Sequence, residues 1–309
     1  AIAIGIPVMR TLGLSYPDKA TTLHVLPPLL RIRLAFARRS IESVGDLPRM
    51  TDPVKEAVMN LSVRVGSVAY FESQELWALA IAKPLLQFLK HGNAPIAAYV
   101  YAGYGVLLAG KLGDVDAGYR FAQLGMRLME RFDERQFKCR ILFIFNCLIR
   151  PWRDPVRDAL EPFLEAYRFG LDVGDLEFAA MSYWHHYHFG LQCGVELRTL
   201  VRDGEKYDHA IDPLKQETIR QVKNICHQTV RNLMTVTAEP SMLVGDEYDE
   251  TRELPVRLAA NDHFTIYVLH LYKAMLSCLF GDARQCLANA ATAVGHLDAV
   301  GSLSMATLG

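Results

Sequence analysis

The sequence predicts an all-α fold, a right-handed superhelical array of antiparallel helical hairpins that together make an α-solenoid. Three observations predict it. A Gly-Asp pair recurs between amphipathic stretches with a small residue at the same offset: Gly113-Asp114 with Gly118, Gly174-Asp175 with Ala179, Gly281-Asp282 with Cys286. Glycine suits the left-handed cap ending one helix, Asp caps the next, and the small residue lets two backbones approach closely. Apolar residues advance in steps of three and four along four stretches, while alternating strand patterns are nearly absent. Asp-Pro pairs at Asp52-Pro53, Asp154-Pro155 and Asp212-Pro213 set a cap acceptor before a proline preset for a first helical turn.

Helices are predicted near 26–43, 53–71, 74–91, 95–112, 114–131, 134–149, 155–172, 175–192, 195–209, 213–237, 262–280 and 282–299. The helix after Asp52-Pro53 carries the stripe Val54, Val58, Leu61, Val65 and Val68. From Gly92 to Gly110 there is no Asp, Glu, Lys or Arg, which approaches the length of a membrane span. Pro95 and the mid-window Tyr99, Tyr101 and Tyr104 suit hydrocarbon poorly, so a buried helix at the centre of the stack is the better reading. Beyond the first Gly-Asp pair, Val115, Tyr119, Ala122, Met126 and Met129 form the next stripe. Asp154-Pro155 and Asp212-Pro213 each open a new hairpin arm. The arm after Asp212 steps through Ile219, Val222, Cys226, Thr229, Leu233 and Val236, with Lys215, Arg220, Lys223, His227 and Arg231 mostly on the other face. The last stripe is Ala283, Leu287, Ala290, Val294 and Leu297.

One segment breaks the pattern. Ala238 to Asn261 carries Pro240, Pro255 and the acidic residues Asp246, Glu247, Asp249, Glu250 and Glu253, and reads as an irregular acidic connection. Long connections in compact domains often carry function, so Asp246, Glu247, Asp249 and Glu250 are candidates for docking a basic partner surface, the alternative being a solvated loop with a short helix over one groove. The Gly-Asp marks lie 61 and then 107 residues apart, so the array is degenerate. Residues 1–309 read as a single helical-repeat domain. The chain opens without Met and stops inside an uncapped apolar stretch, as an internal fragment of a larger protein would.

With 51% hydrophobic residues the chain can bury a large core. Lys plus Arg number 33 against 34 for Asp plus Glu, so no field of one sign invites phosphate backbones or anionic lipid. Neither nucleic acid nor membrane is the expected partner. The six cysteines are scattered without a Cys-x-x-Cys pair and read as reduced core residues of a cytoplasmic protein.

Chemistry-bearing motifs are few. Gly105 to Leu112 matches the first part of a phosphate-binding loop, but Leu112 stands where a hydroxyl must meet magnesium, and the glycines lie within a predicted helix. Trp184, His185, His186, Tyr187 and His188 cluster on one helix, and His185 and His188, three apart, could share a metal. Two imidazoles without a nearby carboxylate leave coordination incomplete, so these rings more simply line a groove between hairpins. Tyr101, Tyr104 and Tyr119 either stack into the core of the first Gly-Asp hairpin or line a concave peptide-binding face. No catalytic residue, cofactor site or metal site is predicted. The expected function is a non-catalytic interaction scaffold. The alternative is a small-molecule sensor with its ligand near Trp184 and His188.

A resemblance extends this reading. Tyr16-Pro17-Asp18-Lys19-Ala20-Thr21, the run Ala102-Gly103-Tyr104-Gly105 leading to Gly113-Asp114 and Gly118-Tyr119, Gly174-Asp175-Leu176-Glu177-Phe178-Ala179, and Leu279-Phe280-Gly281-Asp282 are similar to one helical region. That region is the tetratricopeptide-like middle part of large bacterial hybrid signalling proteins. Those proteins join a serine/threonine kinase domain, an AAA-type ATPase, the helical array, a GAF sensor and a histidine kinase. The resemblance covers nearly the whole chain. It implies that the segment links the ATPase and kinase upstream to the sensor and histidine kinase downstream, with neighbouring domains or a signalling protein as partner. Kinase and ATPase residues would lie outside this segment.

Overall fold

A computed structural model describes residues 2–211, 216–235 and 239–300. Among them no strand occurs, and fourteen α-helices carry the architecture: α1 (Ile2–Thr11), α2 (Thr22–Phe36), α3 (Pro53–Glu72), α4 (Gln74–His91), α5 (Ala97–Leu112), α6 (Val115–Arg131), α7 (Lys138–Ile144), α8 (Leu160–Val173), α9 (Leu176–Gln192), α10 (Leu197–Ile211), α11 (Glu217–Met234), α12 (Glu250–Ala259), α13 (His263–Leu279) and α14 (Ala283–Val294). They separate into two compact units, Ala1–Arg153 and Asp154–Gly309.

The cap chemistry read from sequence is present. Gly113, Gly174 and Gly281 take φ of 72°, 74° and 80°, the left-handed conformation that favours glycine. Asp114 and Asp282 then cap the following helices by accepting from Ala117 N at 3.1 Å and Gln285 N at 2.9 Å, whereas Asp175 stands at the N-cap of α9 without a side-chain cap hydrogen bond, so the third expected Asp cap does not form. Asp52 does the same for α3, accepting from the backbone of Val54 and Lys55. Asp154-Pro155 instead leads into a short 3-10 turn, Val156–Ala159, before α8 begins. Asp212-Pro213 lies outside the described residues, as do Lys215 and Val236.

In the first unit α1 packs on α3, α2 on α4, and α5 on α4, α6 and α7. The charge-free window is buried, as expected: in α5 every residue from Ala97 to Ala109 is buried. No described helix is long and apolar enough to cross a membrane. Gly105 and Gly118 meet at the α5/α6 crossing, where a Cβ on Gly105 would stand 2.5 Å from the Gly118 carbonyl oxygen. A second close approach lies further along the same pair, where a Cβ on Gly125 would come within 2.6 Å of the Ala98 oxygen. The small residue of the hairpin motif therefore serves as expected in this hairpin. After α7 the chain widens into a π-turn at Phe145–Ile149 and closes with a 3-10 turn, Arg150–Trp152, so the single helix expected at 134–149 is shorter and irregular at its end.

In the second unit α9 packs on α8, α10 and α11, and α13 packs on α11, α12 and α14. The core gathers Tyr183, Trp184, Tyr187, Val222, Ile225, Cys226, Val268, Tyr272 and Leu276.

Three expectations are corrected. Helix α1 occupies residues to which no helix is assigned from sequence, and α2 begins a turn before the expected 26 and ends at Phe36, short of the expected 43. Pro27 and Pro28 sit inside α2 and obscure it, because proline is expected at a helix start. The connection at 238–261 contains α12, with Pro255 inside it. Asp249 caps α12 by accepting from Thr251 N, and Glu250 and Glu253 favour its positive end, so the acidic run from Asp249 onward is a helix start while Asp246 and Glu247 lie ahead of it. The 3-4 stripes also mark the wrong face in part. Val54 at one end of α3 is 54% exposed, whereas Ser62, Val63 and Ala69 are buried. On α14, Leu287 and Val294 are 72% and 66% exposed, and burial falls on Asn289 and Ala293. The α11 stripe holds from Ile219 to Thr229, but Lys223 and His227, placed on its outer face, are buried too.

Candidate functional site

Packing of α9 against α8, α11 and α13 decides what Trp184 and its neighbours can do. Trp184 and His188 are fully buried and His185 is nearly so. Trp184 meets Phe264 edge-on with centroids 5.7 Å apart, and His185 packs between Phe163 and Phe189 at 5.7 and 5.9 Å. The groove expected here is therefore a closed core, and a small molecule would have to displace packed rings to reach it. His185 and His188 are 6.4 Å apart between ring centres. His185 Nδ1 hydrogen-bonds the Met181 carbonyl at 2.8 Å, and His188 Nδ1 hydrogen-bonds the Tyr272 hydroxyl. Among the described residues no three His, Cys, Asp or Glu side chains are placed to hold a metal ion.

Tyr272 stands between His188 Nδ1 and Cys226 Sγ, 2.8 Å from the sulfur. One hydroxyl hydrogen serves two neighbours, so the chain of hydrogen bonds runs in a single direction, from thiol to imidazole or the reverse. Burial holds the chain neutral throughout. It pushes the imidazoles of His185 and His188 down to about 4 and about 3, the Cys226 thiol up to about 12, and the Tyr272 phenol well above its ordinary value. A neutral thiol without solvent access is a poor nucleophile, so the cluster specifies packing. Trp184 Nε1 and His188 Nε2 are buried without a protein partner. Sequence inspection singled out Trp184, His185 and His188 but missed Tyr272 and Cys226 as their partners. Tyr272 is 84 residues from His188, and no local pattern joins them.

The tyrosines of the first unit are also mostly interior. Tyr101 donates to Asn93 Oδ1 at 3.2 Å and stacks on Phe121, and Tyr104 meets Phe121 edge-on at 4.8 Å. Tyr119 is half-buried, with the Arg153 guanidinium 5.0 Å above its ring. Core packing is thus realised for Tyr101 and Tyr104, which cannot line a binding face.

The acidic segment divides in two. Asp246 is exposed, whereas Glu250 is buried, accepts from Leu243 N at 3.0 Å and pairs with Lys273. Glu247 pairs with Arg231 at 3.1 Å and Asp249 is spent on its cap. Three of the four carboxylates are thus engaged within the unit, Glu247 on α11, Glu250 on α13 and Asp249 at the start of α12, which leaves Asp246 as the exposed member of the docking candidates and favours the alternative of a short helix in this connection. Gly105 to Leu112, the phosphate-loop lookalike, lies wholly inside α5, so its N–H groups are spent in the helix.

No protein-family model matches this chain, and no curated protein matches it.

Proposed function

We propose that this chain is a non-catalytic scaffold for protein interaction, a degenerate tetratricopeptide-like array in which successive hairpins continue a right-handed superhelix. The carrying observation is the recurrence of a left-handed glycine followed by Asp between two packed helices at three places along the chain, with the Asp side chain capping the next helix at two of them. Hairpins that touch only their neighbours allow curvature to change at modest cost and move distant ends. The burial of the imidazole and thiol groups supports a structural reading of that cluster.

In the larger setting implied by the resemblance, the array joins an ATPase and kinase module to a sensor and histidine kinase on the same polypeptide. The test is deletion of this segment from the full-length protein. Altered nucleotide turnover or phosphotransfer is the expected outcome, and unchanged values of both exclude the linking role.

A further inference from the structure

Helix α2 is apolar on two opposite faces. Val25, Pro28 and Ile32 are buried, with α2 packed on α4. Leu23, Leu26, Leu30 and Leu34, spaced 3-4-4, stand 79%, 47%, 56% and 72% exposed. At 3.6 residues per turn these four fall within an arc of about 80°, a seam one helix wide and about 17 Å long. Arg33 borders the arc on one side and Arg31 on the other, and both are exposed.

The electrostatic surroundings are one-signed. From Lys19 to Ile41 the chain has no Asp or Glu, while Lys19, Arg31, Arg33, Arg38 and Arg39 are all exposed. Among the described residues no carboxylate pairs with any of these four arginines. The neighbouring acids are already engaged, Asp18 with Arg10 and Glu42 with Arg120. A narrow leucine seam between unpaired arginines is complementary to a helix with leucines on one face and carboxylates beside them. A lipid surface would favour a broad apolar face with the cations behind it, and here the cations close in on both edges of a single stripe.

We propose that α2 docks an acidic amphipathic helix of a partner protein, seated along Leu23, Leu26, Leu30 and Leu34 and held in register by Arg31 and Arg33. This rests on the scaffold reading and names the chemistry of its partner.

The test titrates the whole 309-residue protein against a fluorescently labelled helical peptide with leucines at the same 3-4-4 spacing and flanking glutamates. A second peptide carries lysine at each glutamate position, and vesicles of phosphatidylserine and phosphatidylcholine form a third arm. The glutamate peptide is expected to bind at least about tenfold tighter than the lysine peptide. Leu30→Glu should weaken it by about tenfold or more, and Leu23→Glu, at the most exposed position, repeats the test with least risk to folding. Arg31→Glu with Arg33→Glu should reverse the preference between the peptides. Binding of neither peptide, equal binding of both, or capture on vesicles without peptide binding overturns the proposal. Because the linking role is read from kinase and ATPase output after deletion, a failure here with altered output there removes the acidic-helix seat and leaves the scaffold standing.

Discussion

His185 and His188 make the second unit sensitive to acid. An unfolded histidine titrates near 6.5, whereas burial lowers these two to about 4 and about 3. The unfolded chain then binds protons that the fold excludes, so their contribution is complete above about pH 6.5 and drains away as pH falls toward 4 and 3. Urea unfolding at stepped pH should show stability falling through this window. In a His188→Phe variant the fall should be shallower by one proton, roughly 1.4 kcal/mol per pH unit. An unchanged slope would show that His188 is protonated in the folded protein. Glu250 supplies a second residue-level expectation. Its carboxylate and the Lys273 ammonium are both largely buried, so Glu250→Ala leaves a charge without its partner and should cost about 3 kcal/mol in chemical denaturation. Asp246→Asn, on the surface, should stay within about 0.5 kcal/mol.

Helix pairs show how closely the repeat is built. Gly125→Ala places a methyl group against the Ala98 carbonyl, a backbone atom that cannot swing aside, and should destabilise the first unit by about 1–3 kcal/mol in thermal or urea unfolding. Asp282→Ala removes only a cap and should cost about 1 kcal/mol. Element positions were largely legible: α3 and α4 begin and end within a residue of their expected bounds, because Asp52-Pro53 and Ser73 are local cap signals. A short helix is one reading of the 238–261 connection, but the bounds of α12 are not assigned there although its start is visible, since Asp249 followed by Glu250 and Glu253 is a first-turn signature that Pro255 disguises. The faces were less legible than the bounds. On α14 the apolar stripe points to solvent, because periodicity identifies an amphipathic surface without naming what covers it.

Two compact units organise the molecule, each with its own apolar interior: Leu79, Phe88, Val100 and Tyr101 in the first, Tyr183, Trp184, Val222 and Tyr272 in the second. Expressed separately, residues 1–153 and 154–309 should each give a helical far-ultraviolet spectrum and a cooperative melt, and a unit that stays unfolded alone would show that its core is not sufficient. The sequence alone determined the helical class, the hairpin joints and the burial of the charge-free α5, because caps, left-handed glycines and apolar runs act over a few residues. Only the tertiary structure decided that Trp184 and His188 lie in a closed core with Tyr272 and Cys226, that Glu250 is an interior ion-pair partner, and that the leucines of α2 face outward. Those outcomes depend on contacts between residues far apart in the chain, and burial is a property of what the rest of the fold places alongside a residue.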